Sequence, residues 1–322
     1  MHVLYPAFAI TLLWLWALTV SAEPLPAADS ATGCAAASAQ RYKKSLLFTR
    51  FQRLHPADSN PGYLQDMDQH LPDWFSQQLV AQQVSTPASQ LSAPLHFPLE
   101  TPPLEAATLT RKLASQYRAQ LLVSGTLTDL SMSPDSDRAG LYRRFINGFR
   151  DTFNMPSATD KRQRVFSLYL QLRDGITGEP LFDNTYRTTG VWPARRLGDS
   201  GFDSVAFRQS DYGRQVWQLL DTARQELEVA IRCQPHIATA ELHADPTTLV
   251  VHSGANQGLR PGDLLQLHQL VQLPVTGRWQ QYDIRLVDQQ VPAMLLEVYP
   301  DHSLARIESR TPLTGRFVVL GQ

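Results

Sequence analysis

Basic residues do not outnumber acidic ones in this chain. Its 29 Lys and Arg stand against 30 Asp and Glu, for a net charge of −1. A general nucleic-acid binder needs a broad basic surface, and this balance excludes one. Lysine itself is scarce, and no Gly-x-Ser-x-Gly elbow is present to lift a serine nucleophile on a turn. The run Gly254-Ala-Asn-Gln-Gly258-Leu-Arg-Pro-Gly262-Asp263 is glycine-rich but lacks the lysine and Ser/Thr of a phosphate loop. Asp263 and the strand-like Leu264–His268 follow it instead, so its glycines read as tight turns between strands. His236, His243, His252 and His268 fall in the last part of the chain, and no pair has the close spacing of a helical or knuckle metal motif. They read as surface or hydrogen-bonded histidines, and Asp135 and Asp137 as solvated loop residues. The expectation is a protein without catalytic residues, cofactor, metal or small-molecule substrate, and one that binds no nucleic acid.

Cysteine is also rare, at Cys34 and Cys233 only. Its meaning depends on the N-terminus. Residues 1–22 read as a signal peptide: Ala7–Val20 is apolar throughout and Val20-Ser21-Ala22 is a small-residue cleavage pattern. The run is short for a spanning helix and leads into Pro24 and Pro26 rather than a basic anchor, though an uncleaved anchor is the other reading. A lipoprotein cysteine directly follows the apolar core, and Cys34 lies well beyond it. Export puts both cysteines in an oxidising compartment, where an even count favours a Cys34–Cys233 disulfide over two free buried thiols. Such a bridge closes a loop of nearly 200 residues, and chain entropy alone gives it on the order of 5 kcal/mol.

A chain of 322 residues is long enough for two or three domains. After a linker at 23–33, residues 34–232 read as an α/β domain and 233–322 as a small all-β domain. The hinge is the helix within Gln209–Pro235, where Tyr212, Val216, Leu219, Leu220, Ala223, Leu227, Ala230 and Ile231 share one face. Ahead of it lie a strand at Ser45–Phe51 and an amphipathic helix at Leu64–Gln83, which Pro72 must kink or start. Ser85–Pro103 is a loop crossing or an edge strand, and a second helix covers Leu104–Arg118. A strand at Ala119–Leu130 contains an interior glycine that invites close backbone approach. Gln163–Arg173 and Pro180–Val191 form a hairpin across Asp174-Gly-Ile-Thr-Gly178. Beyond Pro235, seven short strand candidates (Ala238–His243, Thr247–Val251, Leu264–His268, Gln281–Leu286, Ala293–Val298, Ser303–Ile307 and Arg316–Leu320) indicate a small barrel or sandwich.

One segment breaks the pattern. In Arg138–Phe153, Leu141, Tyr142, Phe145, Ile146, Phe149 and Phe153 make an aromatic stripe at helical spacing, flanked by Arg143, Arg144 and Arg150. Arg138 to Arg164 holds seven basic and two acidic residues, about +5 in a balanced chain. One reading is a docking surface built on Tyr142, Arg143, Arg144, Phe145 and Phe149. The other is a helix that covers the sheet, with solvated arginines.

Ala119–Leu130, Phe166–Trp192, Tyr212-Gly213 through Cys233-Gln-Pro235, and Ser253-Gly254…Gly258-Leu…Gly262-Asp263 together resemble the middle and C-terminal domains of flagellar assembly protein T. The resemblance implies an α+β chain: a sandwich similar to the N-terminal domain of the translocation protein TolB, with a mixed sheet, followed by a small β-barrel. It implies a non-enzymatic periplasmic protein of the flagellar basal body, near the outer membrane. That protein helps build the H ring around the L and P rings, supports T-ring and stator assembly, and self-associates in a ring. The alternative is a TolB-like periplasmic adaptor or ligand-binding protein of an envelope transport complex. Longer family members carry an additional N-terminal domain, whereas here Cys34 follows the leader almost at once.

The cysteine reading is directly testable. Alkylation of the exported protein under native, non-reducing conditions, followed by mass spectrometry, is expected to leave Cys34 and Cys233 unmodified; two alkylated thiols would overturn the pairing.

Overall fold

Ser210 sets the longest helix in place. Its side-chain oxygen accepts the Gly213 N–H at 2.9 Å, capping a 22-residue helix that runs to Arg232. In the computed structural model, which describes residues 41–54, 64, 66–87, 89–94, 103–131, 163–191, 201–243, 245, 247–275, 277, 282–309 and 312–321, the order of elements is as follows. The first part comprises β1 (Leu46–Arg50), β2 (Gln52–Arg53), α1 (Met67–Ala81), β3 (Ser89–Pro94), α2 (Pro103–Tyr117), β4 (Leu121–Asp129), β5 (Gln163–Asp174), β6 (Pro180–Val191), α3 (Val205–Gln209) and α4 (Asp211–Arg232). Then come β7 (His236–Leu242), β8 (Thr248–Val251), a 3-10 turn at Ala255–Gln257, β9 (Leu264–Pro274), β10 (Tyr282–Val298), β11 (Ser303–Ile307) and β12 (Arg316–Gly321). The class is α+β: a mixed sheet with helices, then an antiparallel barrel. Residues 34–322 form one compact unit.

The sheet runs β3-β1-β4-β5-β6, with β2 paired to β4. The β1 pairings with β3 and β4 are parallel and the β4–β5–β6 ladders antiparallel. One face carries the main core. There Phe166, Leu168, Leu170 and Leu172 of β5 meet Leu71, Phe75 and Leu79 of α1 and Val216, Leu220, Ala223, Leu227 and Ile231 of α4. The apolar spacing of both helices is what makes this burial possible. On the other face Leu113 and Tyr117 of α2 pack over Leu47, Ala119 and Leu122. The polar face of β5 is buried too, through Ser167, Gln171 and Arg173. Arg173 donates to the Gln171 side chain at 2.7 Å and to the Gly178 carbonyl at 3.0 Å.

Pro72 lies inside α1 rather than starting it. A proline takes no N–H to the carbonyl four residues back. That carbonyl belongs to Asp68, and it accepts the Phe51 N–H instead, at 3.0 Å. The Asp68 side chain meanwhile takes Arg50 at 2.6 Å and Arg53 at 3.0 Å. The residue that weakens the helix thus ties its first turn to the end of β1.

Gly125 is approached by a side chain rather than by backbone: a Cβ there would lie 2.8 Å from the Phe51 ring. Two further expectations change. The candidates Gln281–Leu286 and Ala293–Val298 are one 17-residue strand, β10, bent where the register shifts between Asp288 and Pro292 and where Gln290 takes a φ of 55°. The seven short strands therefore become six, closed in the order β10-β11-β8-β7-β12-β9. The Gly254–Gly262 run joins β8 to β9 through the 3-10 turn, with Gly258 and Gly262 both at positive φ. Among the described residues, no helix is long and apolar enough to cross a membrane.

Substituting Gly125→Ala is expected to destabilise the protein by about 2 kcal/mol, because the buried Phe51 ring must move. The urea midpoint should fall with an unchanged m-value; an unaltered midpoint would show that the ring yields freely.

Candidate interaction site at the sheet–barrel junction

The sheet and the barrel are joined by the four residues ahead of β1. Tyr42 inserts into the barrel core, beside Leu265, Leu267, Phe317 and Val319, and is 4% exposed. Gly321 is what admits it, since a Cβ there would lie 2.8 Å from the Tyr42 ring. The Tyr42 hydroxyl donates to Asp263 Oδ2 at 3.2 Å, and Arg41 donates to Asp263 Oδ1 at 2.7 Å. Asp263 also accepts the Arg260 N–H at 2.9 Å, so the turn and the plug share one carboxylate. Burial, then the Asp263 charge, raises the Tyr42 pKa above the usual phenol value. The Lys43 N–H donates to the Gln257 carbonyl at 2.9 Å, and Gln120 Nε2 donates to the Pro235 carbonyl at 2.6 Å.

Beside the plug, His236 packs its ring 5.4 Å from that of Tyr42 and sits 3.0 Å from the Ser253 hydroxyl. Ser303 Oγ donates to the Ser253 carbonyl at 2.7 Å. His236 and Ser253 are each 2% exposed, and the Lys43 backbone lies against the histidine from the plug side. Burial, and then the Lys44 ammonium nearby, pushes the imidazole down to about 3. Burial likewise lowers Lys44 to about 8. The serine–histidine pair is closed to solvent at the barrel end. The pair packs beneath Tyr42 and is tied to β11 through Ser303.

A cleft of about 840 Å³ opens over this junction. Arg111 and Lys112 of α2, Arg118 just after it, and Arg316 line it, with Glu241 and His252 on the barrel side. Arg111 bridges three elements, donating to the Thr177 carbonyl at 2.8 Å and the Tyr282 carbonyl at 3.2 Å. On the outer barrel wall, Leu264 pairs across the ladder with Met294, and both are exposed, as is Leu296. Singly such residues are ordinary, but adjacent they make an apolar contact patch.

The residues singled out from sequence are placed as follows. Cys233 caps the C-terminus of α4, its N–H on the Val229 carbonyl at 3.0 Å, and its thiol is not free. Cys34 lies outside the described residues, and so do Tyr142, Arg143, Arg144, Phe145, Phe149 and the pair Asp135 and Asp137. His236 is in the barrel end, His252 is 3.6 Å from Glu241, and His268 Nδ1 is 3.3 Å from the Gln266 carbonyl. Among the described residues no group of three or more His, Cys, Asp or Glu is arranged to hold a metal. Sequence reasoning missed Tyr42, Asp263 and Gln120. The one available signal was the Asp263 carboxylate directly after a glycine turn, which in the sequence served only to set a phosphate loop aside.

Residues 35–201 match the family model for flagellar assembly protein T, middle domain. No curated protein matches the chain. Among solved structures, the hypothetical protein CT253 from Chlamydia trachomatis is similar at 9% identity, over 58% of this chain and 98% of its own, with a TM-score of 0.35. The PelC dodecamer from Paraburkholderia phytofirmans is similar at 10% identity, over 60% and 89%, with a TM-score of 0.33. The lipoprotein GNA1162 from Neisseria meningitidis is similar at 10% identity, over 57% and 98%, with a TM-score of 0.27.

The buried histidine sets an acid limit. Unfolded, it takes a proton near pH 6.5; folded, only near pH 3. Its contribution to stability is therefore complete above pH 6.5 and lost as pH falls towards 3, at up to about 1.4 kcal/mol per pH unit. A His236→Gln variant should be less stable at pH 7.5 yet lose less on going from pH 6 to pH 4. Equal slopes for the two proteins in urea melts would remove His236 from the acid response.

Proposed function

This chain belongs to the flagellar assembly protein T family, whose model matches more than half of it, and we propose that it acts as a non-enzymatic, periplasmic structural protein of the flagellar basal body. In this reading it takes part in H-ring formation around the L and P rings and supports assembly of the T ring and stators. Its partners are those ring proteins and further copies of itself. The observation that carries the reading is the family match, together with an α+β scaffold whose buried histidine and serine are closed to substrate. The apolar patch of Leu264, Met294 and Leu296 supports contact with a protein partner. Domain division at 34–232 and 233–322, the signal peptide at 1–22, and the Cys34–Cys233 bridge belong to the same proposal. So does docking through Tyr142, Arg143, Arg144, Phe145 and Phe149.

A second reading, a TolB-like adaptor or ligand-binding protein of an envelope transport complex, is favoured by the cationic cleft between α2 and the barrel. Clean deletion of the gene separates the two. The basal-body reading expects impaired swimming, normal filament protein synthesis, and basal bodies that lose outer-membrane-proximal density in electron cryotomography. Normal swimming with unchanged basal-body density would refute it.

A further inference from the structure

The sheet ends at β6, a 12-residue strand with no neighbour beyond it among the described strands. Two of its backbone donors turn away from β5: the Val191 N–H goes to Asp211 at 3.0 Å and the Thr185 N–H to the Asn184 side chain at 2.8 Å. Hydrogen-bonding direction alternates along a strand, and the β5–β6 register is unbroken from Phe182 to Val191. Asp183, Thr185, Arg187 and Thr189 therefore present N–H and C=O groups outward. All four side chains are exposed. An open edge of this length is a ready template for another strand.

The charges on this edge are self-complementary. Asp183 and Arg187 lie two residues to either side of Thr185. Antiparallel pairing of β6 with itself, centred on Thr185, sets Asp183 against Arg187 of the second copy, twice, in positions that exchange main-chain hydrogen bonds. Centring on Asp183 or Arg187 puts like charges face to face, and centring on Asn184 or Tyr186 leaves both charges opposite neutral residues. If the charges served only to keep strands apart, one sign would suffice and would repel. Within the chain they are held weakly, Asp183 by the Tyr169 hydroxyl at 3.3 Å and Arg187 by Asp129 at 3.4 Å, all at the surface.

We propose that β6 joins β6 of a second copy of this chain, antiparallel and centred on Thr185, to make a two-fold dimer through a continuous sheet. The contact is isologous and closes at two copies, so it is distinct from any ring-forming contact.

The test uses the full exported chain, with mass measured by light scattering over a dilution series. Wild type is expected to dimerise reversibly. Asp183→Arg alone and Arg187→Asp alone should each weaken the dimer at least about tenfold, since like charges then face each other twice. The double variant D183R/R187D should restore it. Thr185→Pro removes an outward N–H and leaves the β5 ladder intact, as proline is tolerated on edges, and it should give monomer. Unchanged thermal melts would show that each variant is folded. A monomeric wild type at all concentrations, a dimer indifferent to Thr185→Pro, or no rescue by the double variant would each overturn the proposal.

Discussion

One phenol ring is shared between the sheet's leading segment and the barrel core. Tyr42 belongs by sequence to the sheet, since it precedes β1 by only a few residues, but by packing it belongs to the barrel. Its hydroxyl and the Arg41 guanidinium converge on Asp263, which is 8% exposed. A buried carboxylate is costly unless donors surround it, and Asp263 has three: Tyr42, Arg41 and the Arg260 N–H. Removing the tyrosine would leave a hole in the barrel end and take one donor from Asp263. Sheet and barrel are thereby coupled through shared burial as well as by their covalent link.

Around that point the chain reuses the groups its breakers set free. Pro72 frees a carbonyl in α1, and the Phe51 N–H takes it. Gly125 leaves room in β4, and the Phe51 ring fills it. Phe51 is therefore fixed from both sides, by its backbone and by its ring, at the place where the parallel part of the sheet meets α1. Buried polar groups follow the same logic in Arg173, whose guanidinium is lowered in pKa by burial and directed at Gln171 and Gly178.

Sequence pattern revealed most of the scaffold, because the longest elements carry the strongest periodicity. The face from Tyr212 to Ile231, the β5–β6 hairpin and the turn at Asp174–Gly178 are all local signals, and all appear in the structure. The length of β10 was hidden because Gln290 and Pro292 punctuate it as a loop would, while the barrel absorbs them as a bend. Of the junction, only the carboxylate after the glycine turn was visible, and its partner was not. Tyr42 and Asp263 are separated by 221 positions, and nothing near either residue announces the other. The aromatic and arginine stripe at Arg138–Phe153 was visible only as composition, and it lies outside the described residues.

The place of Gly321 gives the molecule a sense of time. The ring that needs this glycine is made before β1, the first strand described, while its socket is finished by β12, the last strand described. Closing so long a loop adds only logarithmically to the entropic cost, but it makes the contact late and slow. Until β12 arrives, the barrel stays open between β7 and β9 and the ring has nowhere dry to go. Seating of Tyr42 therefore requires residues from both ends of the described chain to be in place together.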